Sequence, residues 1–166
     1  MNLNILTFSW HEPYICNLSR LNHTFFVVAP EVAPGKLREW DKRMRPLPGN
    51  CHLISPEQAR EKLQEGDFDL VLAHNVKDLL WLKNFDLPKI CVFHCRLSTE
   101  IALSETPIDK AEYLKKVKSL LQDVHPVFIS QNKKNDWNLP GAVIPHGIDI
   151  NDFPQYLGNE SCILRV

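Results

Sequence analysis

Short apolar runs recur along the chain, spaced so that a helix fits between most of them. Leu3 to Phe8, Thr24 to Ala29 (TFFVVA, stopped by Pro30), Asp69 to Ala73, Lys89 to His94, Pro126 to Ser130 and Ala142 to Ile144 each read as a strand. The runs are nearly continuous in apolar residues rather than alternating. That pattern belongs to parallel strands covered on both faces.

The intervening polar segments carry helix signals. Ser55, Pro56 and Gln58 form a capping-box pattern, and Gly66 supplies a stop, so a helix is expected between them. Asn75 is placed to cap a helix from Val76 to about Asn84, with Asp78 in its first turn. Asp109 to Glu112 reads as a second capping box. It precedes an apolar face of Tyr113, Leu114, Val117, Leu120 and Leu121, with Lys115, Lys116 and Lys118 mostly opposite as a solvated face. Strands alternating with helices predict an α/β fold: a doubly wound, mostly parallel sheet in a Rossmann-like three-layer domain.

Composition narrows the class. The 166 residues, 44% hydrophobic and 23% charged, suffice for one ordinary domain with a real core. A net charge of -1 argues against nucleic acid as a partner. No apolar run approaches a membrane-spanning length, and the N-terminus lacks the features of a signal peptide, so a cytoplasmic location is expected. Five cysteines in no framework spacing agree with that. In Cys91-Val92-Phe93-His94-Cys95 the strand period puts both thiols on one face and His94 on the other. That arrangement suits buried free thiols better than a metal site, and no metal is expected.

In an open parallel sheet, ligands bind beyond the C-terminal ends of the strands. The residues there are Ser9-Trp10-His11-Glu12, Pro30-Glu31, His74-Asn75, His94-Cys95-Arg96 and Gln131-Asn132-Lys133. Three of the seven histidines, His11, His74 and His94, fall in this set. Each alone serves as well for a cap or a loop anchor; together they predict a polar cleft. The first turn holds no glycine, so a dinucleotide fingerprint and a phosphate-binding loop are both absent. A serine-hydrolase elbow is absent too. From Pro30 to Asn50, prolines and glycines predict a long loop with one helical turn around Trp40. Lys36 to Arg45 carries five basic residues against Glu39 and Asp41. It reads either as a solvated insertion or as a basic flap over an acidic ligand or an anionic lipid surface.

Three segments, taken in order, resemble the N-terminal domain of glycosyltransferase family 4, a group with the GT-B architecture. They are "VFHCR", "VFISQNKKNDW" (in the family a strand, a Ser, then a short helix) and "VIPHGIDINDF". The last is the most specific, since the family often has Ile-Pro-Asn-Gly-Val-Asp and then Phe. The similarity spans residues 1 to 155. It implies a Rossmann-like acceptor-binding half of a retaining, usually metal-independent enzyme that takes sugar from a nucleotide-sugar donor. Residues 156–166, with "SCILRV" from Ser161 as a first strand, would be a linker and the start of a donor-binding domain that this sequence does not contain. The half represented here would then be inactive without the other.

The resemblance also assigns residues. His94 matches the strand-end histidine that approaches the donor sugar, and so takes the catalytic role. Trp10, His11, His74, Arg96 and Lys133 would line the acceptor cleft. Pro145, His146, Gly147 and Asp149 match the hinge between the halves, and Phe153 the aromatic after it. No cofactor is implied beyond the nucleotide-sugar co-substrate. The acceptor is a saccharide, a lipid or a small molecule, with a weak contact at the inner membrane face through Lys36–Arg45. Two departures stand out. His146 replaces the usual Asn, and Ser9, Trp10 and His11 stand where many members have phosphate-contacting glycines. His11 offers a hydrogen-bond donor there, a cation beside an anion. Two other readings stay open: a stand-alone Rossmann-like or flavodoxin-like ligand-binding module, and a sugar-nucleotide epimerase fragment. A phosphoacceptor receiver domain would need an acidic cluster after the first strand, where only Glu12 stands.

Overall fold

A computed structural model describes residues 1–104 and 106–148. The hinge residue Asp149, Phe153, Cys162 and the expected linker and strand at 156–166 lie outside the described residues. The element order is β1 (Asn4–Phe8), α1 (Glu12–Ser19), β2 (Thr24–Val28), β3 (Glu31–Ala33), β4 (Lys36–Leu37), β5 (Cys51–Ile54), α2 (Pro56–Glu65), β6 (Leu70–Ala73), α3 (Val76–Trp81), β7 (Lys89–Phe93), α4 (Leu97–Ala102), α5 (Lys110–Leu120), β8 (Val124–Phe128), α6 (Gln131–Trp137) and β9 (Ala142–Val143).

Seven strands form one sheet in the order β5-β2-β1-β6-β7-β8-β9, and every neighbouring pair is parallel. β3 and β4 make a separate antiparallel hairpin. The chain therefore starts at β1, winds outward to β5, crosses back and winds outward the other way. β1 and β6 flank the point where direction reverses, which is where an open sheet leaves a crevice at its carboxyl edge. The α/β, doubly wound, Rossmann-like expectation describes this molecule.

The two faces of the sheet are covered unequally. On one, Leu6, Val71, Ala73, Cys91, Phe93 and Phe128 pack against apolar side chains of α2 to α6, including the fully buried Trp137. The apolar face expected for α5 is there: Val117 is buried, and Tyr113, Leu114, Leu120 and Leu121 pack on the same core. On the other face, Ile5, Phe25, Val27, Leu72 and Val92 meet Ile15 of α1 and Trp40. Among the described residues α1 is the only helix in that second cluster. No helix of the described residues is long and apolar enough to cross a membrane.

Local chemistry accounts for the boundaries. Ser55 and Gln58 make both halves of a capping box, and Gly66 closes α2 in the left-handed conformation at φ 77°. Asn75 accepts from the Asp78 backbone N–H to start α3, which stops at Trp81 rather than near Asn84. At α5 only half of the expected box forms. Asp109 accepts from the Glu112 N–H at 2.7 Å, while the Glu112 carboxylate pairs with Lys116 one turn on at 2.8 Å. β8 begins and ends two residues earlier than expected, and at its end Ser130 caps α6 instead of extending the strand.

The span from Pro30 to Asn50 departs most from expectation. It holds the β3–β4 hairpin, turned at Gly35 with φ 70°, and no helix forms around Trp40. The Trp40 indole is instead buried, donating to the Arg45 carbonyl at 2.7 Å. It anchors the loop against the sheet, in the cluster of Ile5, Phe25 and Val92. β5, α1 and α4 carry too little periodic signal to be read beforehand. β5 is four residues long and follows Pro48-Gly49, and the α1 sequence EPYICNLS mixes a proline with the β-branched Ile15 and the turn-prone Asn17 and Ser19.

Gly141 tests the packing at the β9 edge. Its φ is 154°, and a Cβ there would stand 2.5 Å from the Pro126 carbonyl oxygen and 2.9 Å from the Phe128 ring. Gly141→Ala is expected to destabilise the fold by about 2 kcal/mol or more in urea unfolding. Gly49→Ala, where a Cβ meets nothing within 4 Å, is expected to change stability little.

Candidate functional site

The carboxyl edge of β1, β6 and β7 delivers Trp10, His74 and His94 to one place. A backbone bond from Ser9 N–H to the Val28 carbonyl (2.9 Å) extends the β1–β2 ladder and sets the start of the Trp10 loop. Trp10 stacks on His94 with ring centroids 4.8 Å apart and planes 20° apart. Tyr14, from the first turn of α1, stands edge-on to both imidazoles, 4.8 Å from His94 and 5.2 Å from His74. The segment after β9 returns over the group and puts the His146 ring 5.4 Å from His94 and 5.2 Å from Tyr14.

Beneath this aromatic layer runs a buried polar line. Thr7, fully buried in β1, donates its hydroxyl to the Leu72 carbonyl at 3.0 Å and lies 2.8 Å from His74 Nε2. His74 Nδ1 lies 3.2 Å from His94 Nε2. His74 is 2% exposed and His94 8%. The His74 backbone N–H donates to Asp78 Oδ2 at 2.8 Å, which ties β6 to the start of α3.

Burial fixes the charge state of the group. It holds His74 down to about 3, helped by His94 and His11, and His94 down to about 4, helped by His146, His11 and Lys133. Burial also lowers His146, pushes Tyr14 up to about 12 and lifts Asp78 to about 6. The expected polar cleft is therefore an uncharged aromatic and imidazole cluster near neutral pH. It offers hydrogen bonds and ring faces to a ligand.

The sequence-predicted residues separate into four groups. Trp10, His74, His94 and His146 come together. His11 stands exposed at the N-cap position of α1, where its side chain makes no capping hydrogen bond, with its ring 5.2 Å from Trp10, and Lys133 lies close enough for its charge to act on His94 and His146. Arg96 is exposed at the N-cap of α4, where its charge acts on Asp136, and no ring or hydrogen-bond contact joins it to the cluster. Pro145 and Gly147 flank His146 and line a cavity described below. Thr7, Tyr14 and Asp78 belong to the site but were not anticipated as its members. The one available signal was Thr7 as a lone hydroxyl inside the apolar first strand.

The sequence matches no protein-family model and no curated protein.

Cys91 sits in the core with its thiol pushed up by burial, and the Cys95 carbonyl accepts from the Trp137 indole at 2.9 Å. Among the described residues no group of three His, Cys, Asp or Glu could hold a metal ion. In the basic run, Arg38 is bound to the buried Glu12 at 3.0 Å and Arg43 to Asp41 at 2.8 Å. An apolar cavity of about 640 Å³ opens on the sheet face that carries α1. Leu72, Ile90, Val92 and Val127 form its floor, and Tyr14 and His146 stand at its upper rim.

The imidazoles make stability depend on pH. Both hold fewer protons folded than unfolded, from the ordinary 6.5 down to about 3 and 4. Their contribution is complete above about pH 6.5 and is lost as pH falls below it. Asp78 acts in the opposite sense: lifted from 3.8 to about 6, it favours the fold below that range and loses its contribution as pH rises through it. The urea midpoint is expected to fall between about pH 7 and pH 5, with Asp78 offsetting part of the loss below about 6. His74→Gln should flatten the profile. A midpoint that holds or rises on acidification contradicts the assignment.

Proposed function

We propose that this chain is the acceptor-side half of a retaining glycosyltransferase with the GT-B architecture, related to family 4. In this reading sugar moves from a nucleotide-sugar donor to an acceptor in a cleft that a second domain completes. The observation that carries it is the return of His146 over His94 at the carboxyl edge of β1, β6 and β7. The motif that suggested an interdomain crossing thus contributes a ring to the strand-end cluster.

The chemistry of the cluster fits the acceptor side. His74 and His94 are neutral and the first turn has no glycine, so the cluster itself offers leaving phosphates little of the charge stabilisation they require, and Lys133 is the cation whose charge reaches it. Those donors belong to the other half. His94 positions the reacting sugar, and Trp10 and Tyr14 exclude water and present ring faces. Glu12 and Asp41 neutralise two cations of the basic run. Lys36, Lys42 and Arg45 then supply the attraction to an anionic acceptor or the inner membrane surface.

The apolar cavity favours a second reading, a ligand-binding module whose occupant is mainly apolar. One titration separates the two. The Trp10 indole cross-peak of this chain is followed with methyl glycosides, with uridine and guanosine diphosphates, and with their hexose conjugates. The sugar-bearing compounds are expected to shift Trp10 at millimolar concentration, the bare nucleotides to leave it unmoved, and His94→Ala to weaken the response about tenfold. Submicromolar binding of a bare nucleotide at the strand ends would sink the acceptor-half reading. Binding of an apolar dye alone, with no response to any sugar, would favour the module.

A further inference from the structure

The line from Thr7 to His94 can carry its protons in only one direction without leaving an oxygen pair unbridged. A threonine hydroxyl has one proton to give. If it went to His74 Nε2, Thr7 Oγ1 and the Leu72 carbonyl oxygen would face each other at 3.0 Å in a fully buried place with no hydrogen between them. With the hydroxyl donating to Leu72, the 2.8 Å contact requires the proton on His74 Nε2. His74 Nδ1 is then bare, and the 3.2 Å contact requires the second proton on His94 Nε2. All three contacts are satisfied and both rings are neutral. His94 Nδ1 is left as an acceptor. It takes no hydrogen bond from the described residues, and no fully buried side-chain nitrogen or oxygen among them lacks a partner. Nδ1 is therefore open to a ligand.

We propose that Thr7 and His74 are positioning residues that hold the proton on His94 Nε2, so that His94 Nδ1 accepts a hydrogen bond from a neutral hydroxyl of the bound ligand. This deepens the acceptor-half reading and rests on it only for the statement that the ligand is a sugar. The ligand class follows from the nitrogen's character. A bare imidazole nitrogen accepts from a hydroxyl and repels the oxygens of a fully ionised phosphodiester, which bring lone pairs and no proton. Thr7 and His74 touch no ligand themselves and act through His94.

The test reads the nitrogens directly. Long-range proton–nitrogen correlation at neutral pH, on the wild-type chain, assigns the protonated nitrogen of each ring. Nε2–H on both His74 and His94 is expected. Nδ1–H on His94 overturns the proposal and needs no variant to show it. Thr7→Val removes the acceptor for His74 Nε2–H and is expected to give His94 a mixture of tautomers, with roughly fivefold weaker glycoside binding. Thr7→Ser, which keeps the hydroxyl, is expected to restore both. A folded Thr7→Val chain whose His94 stays wholly Nε2–H contradicts the relay. Methyl glycosides should move the His94 Nδ1 resonance and dimethyl phosphate, a fully ionised diester, should not; the reverse pattern contradicts the ligand class. The tautomer result does not depend on any sugar chemistry, so it can fail or hold independently of the glycosyltransferase reading.

Discussion

Two imidazoles buried side by side cannot both be charged, and each must place its proton against a partner. That constraint governs the carboxyl edge of this sheet. An unpaired buried polar atom costs on the order of 1–3 kcal/mol, so the Thr7–His74–His94 line has to be complete or absent. Its completion depends on residues from three strands meeting within hydrogen-bond reach. β1 supplies Thr7, β6 supplies His74 and β7 supplies His94, and these strands lie next to one another in the sheet. Burial first, and then the neighbouring imidazoles, lower both rings, and this makes the site one that recognises neutral polar groups.

Sheet winding determines why the cluster forms there. Parallel strands bring every following loop to one edge, and reversal of winding between β1 and β6 leaves that edge open. Tyr14 enters from α1 and His146 from the segment after β9, so residues distant in sequence close over the pair from both sides. The unequal covering of the sheet has the same origin. α2, which makes the crossing to β6, and the helices after it pack on one face, and α1 with Trp40 covers part of the other. The apolar cavity lies along the part of that second face that the described residues leave open, and Tyr14 and His146 are shared by its lining and the cluster.

Much of the fold was legible because its signals are local. The apolar strands, the Ser55 box, the Asn75 cap and the face of α5 each depend on residues a few positions apart. What escaped depends on tertiary contact. β5 exists because β2 offers it an edge, the Pro30 to Asn50 span is organised by a buried indole, and the Glu112 side chain prefers Lys116 to a cap. In the site, the strand-end rule located Trp10, His74 and His94 but gave no means of separating them from Arg96, which the turn at the start of α4 leaves exposed. Nor does the sequence reveal a charge state. Three histidines suggested polarity, and only their depth beneath Trp10 and Tyr14 makes two of them neutral. The resemblance to a glycosyltransferase domain supplied roles for these residues, and the geometry supplies the reason His94 would need His74 beside it.

His74 and His94 remain uncharged as a hydrogen-bonded pair, and a pH titration of the folded chain that follows their ring Cε1–H resonances reads this at the rings themselves. Between about pH 8 and pH 5 neither resonance is expected to move. A titration of either ring near its ordinary value of 6.5 would contradict it.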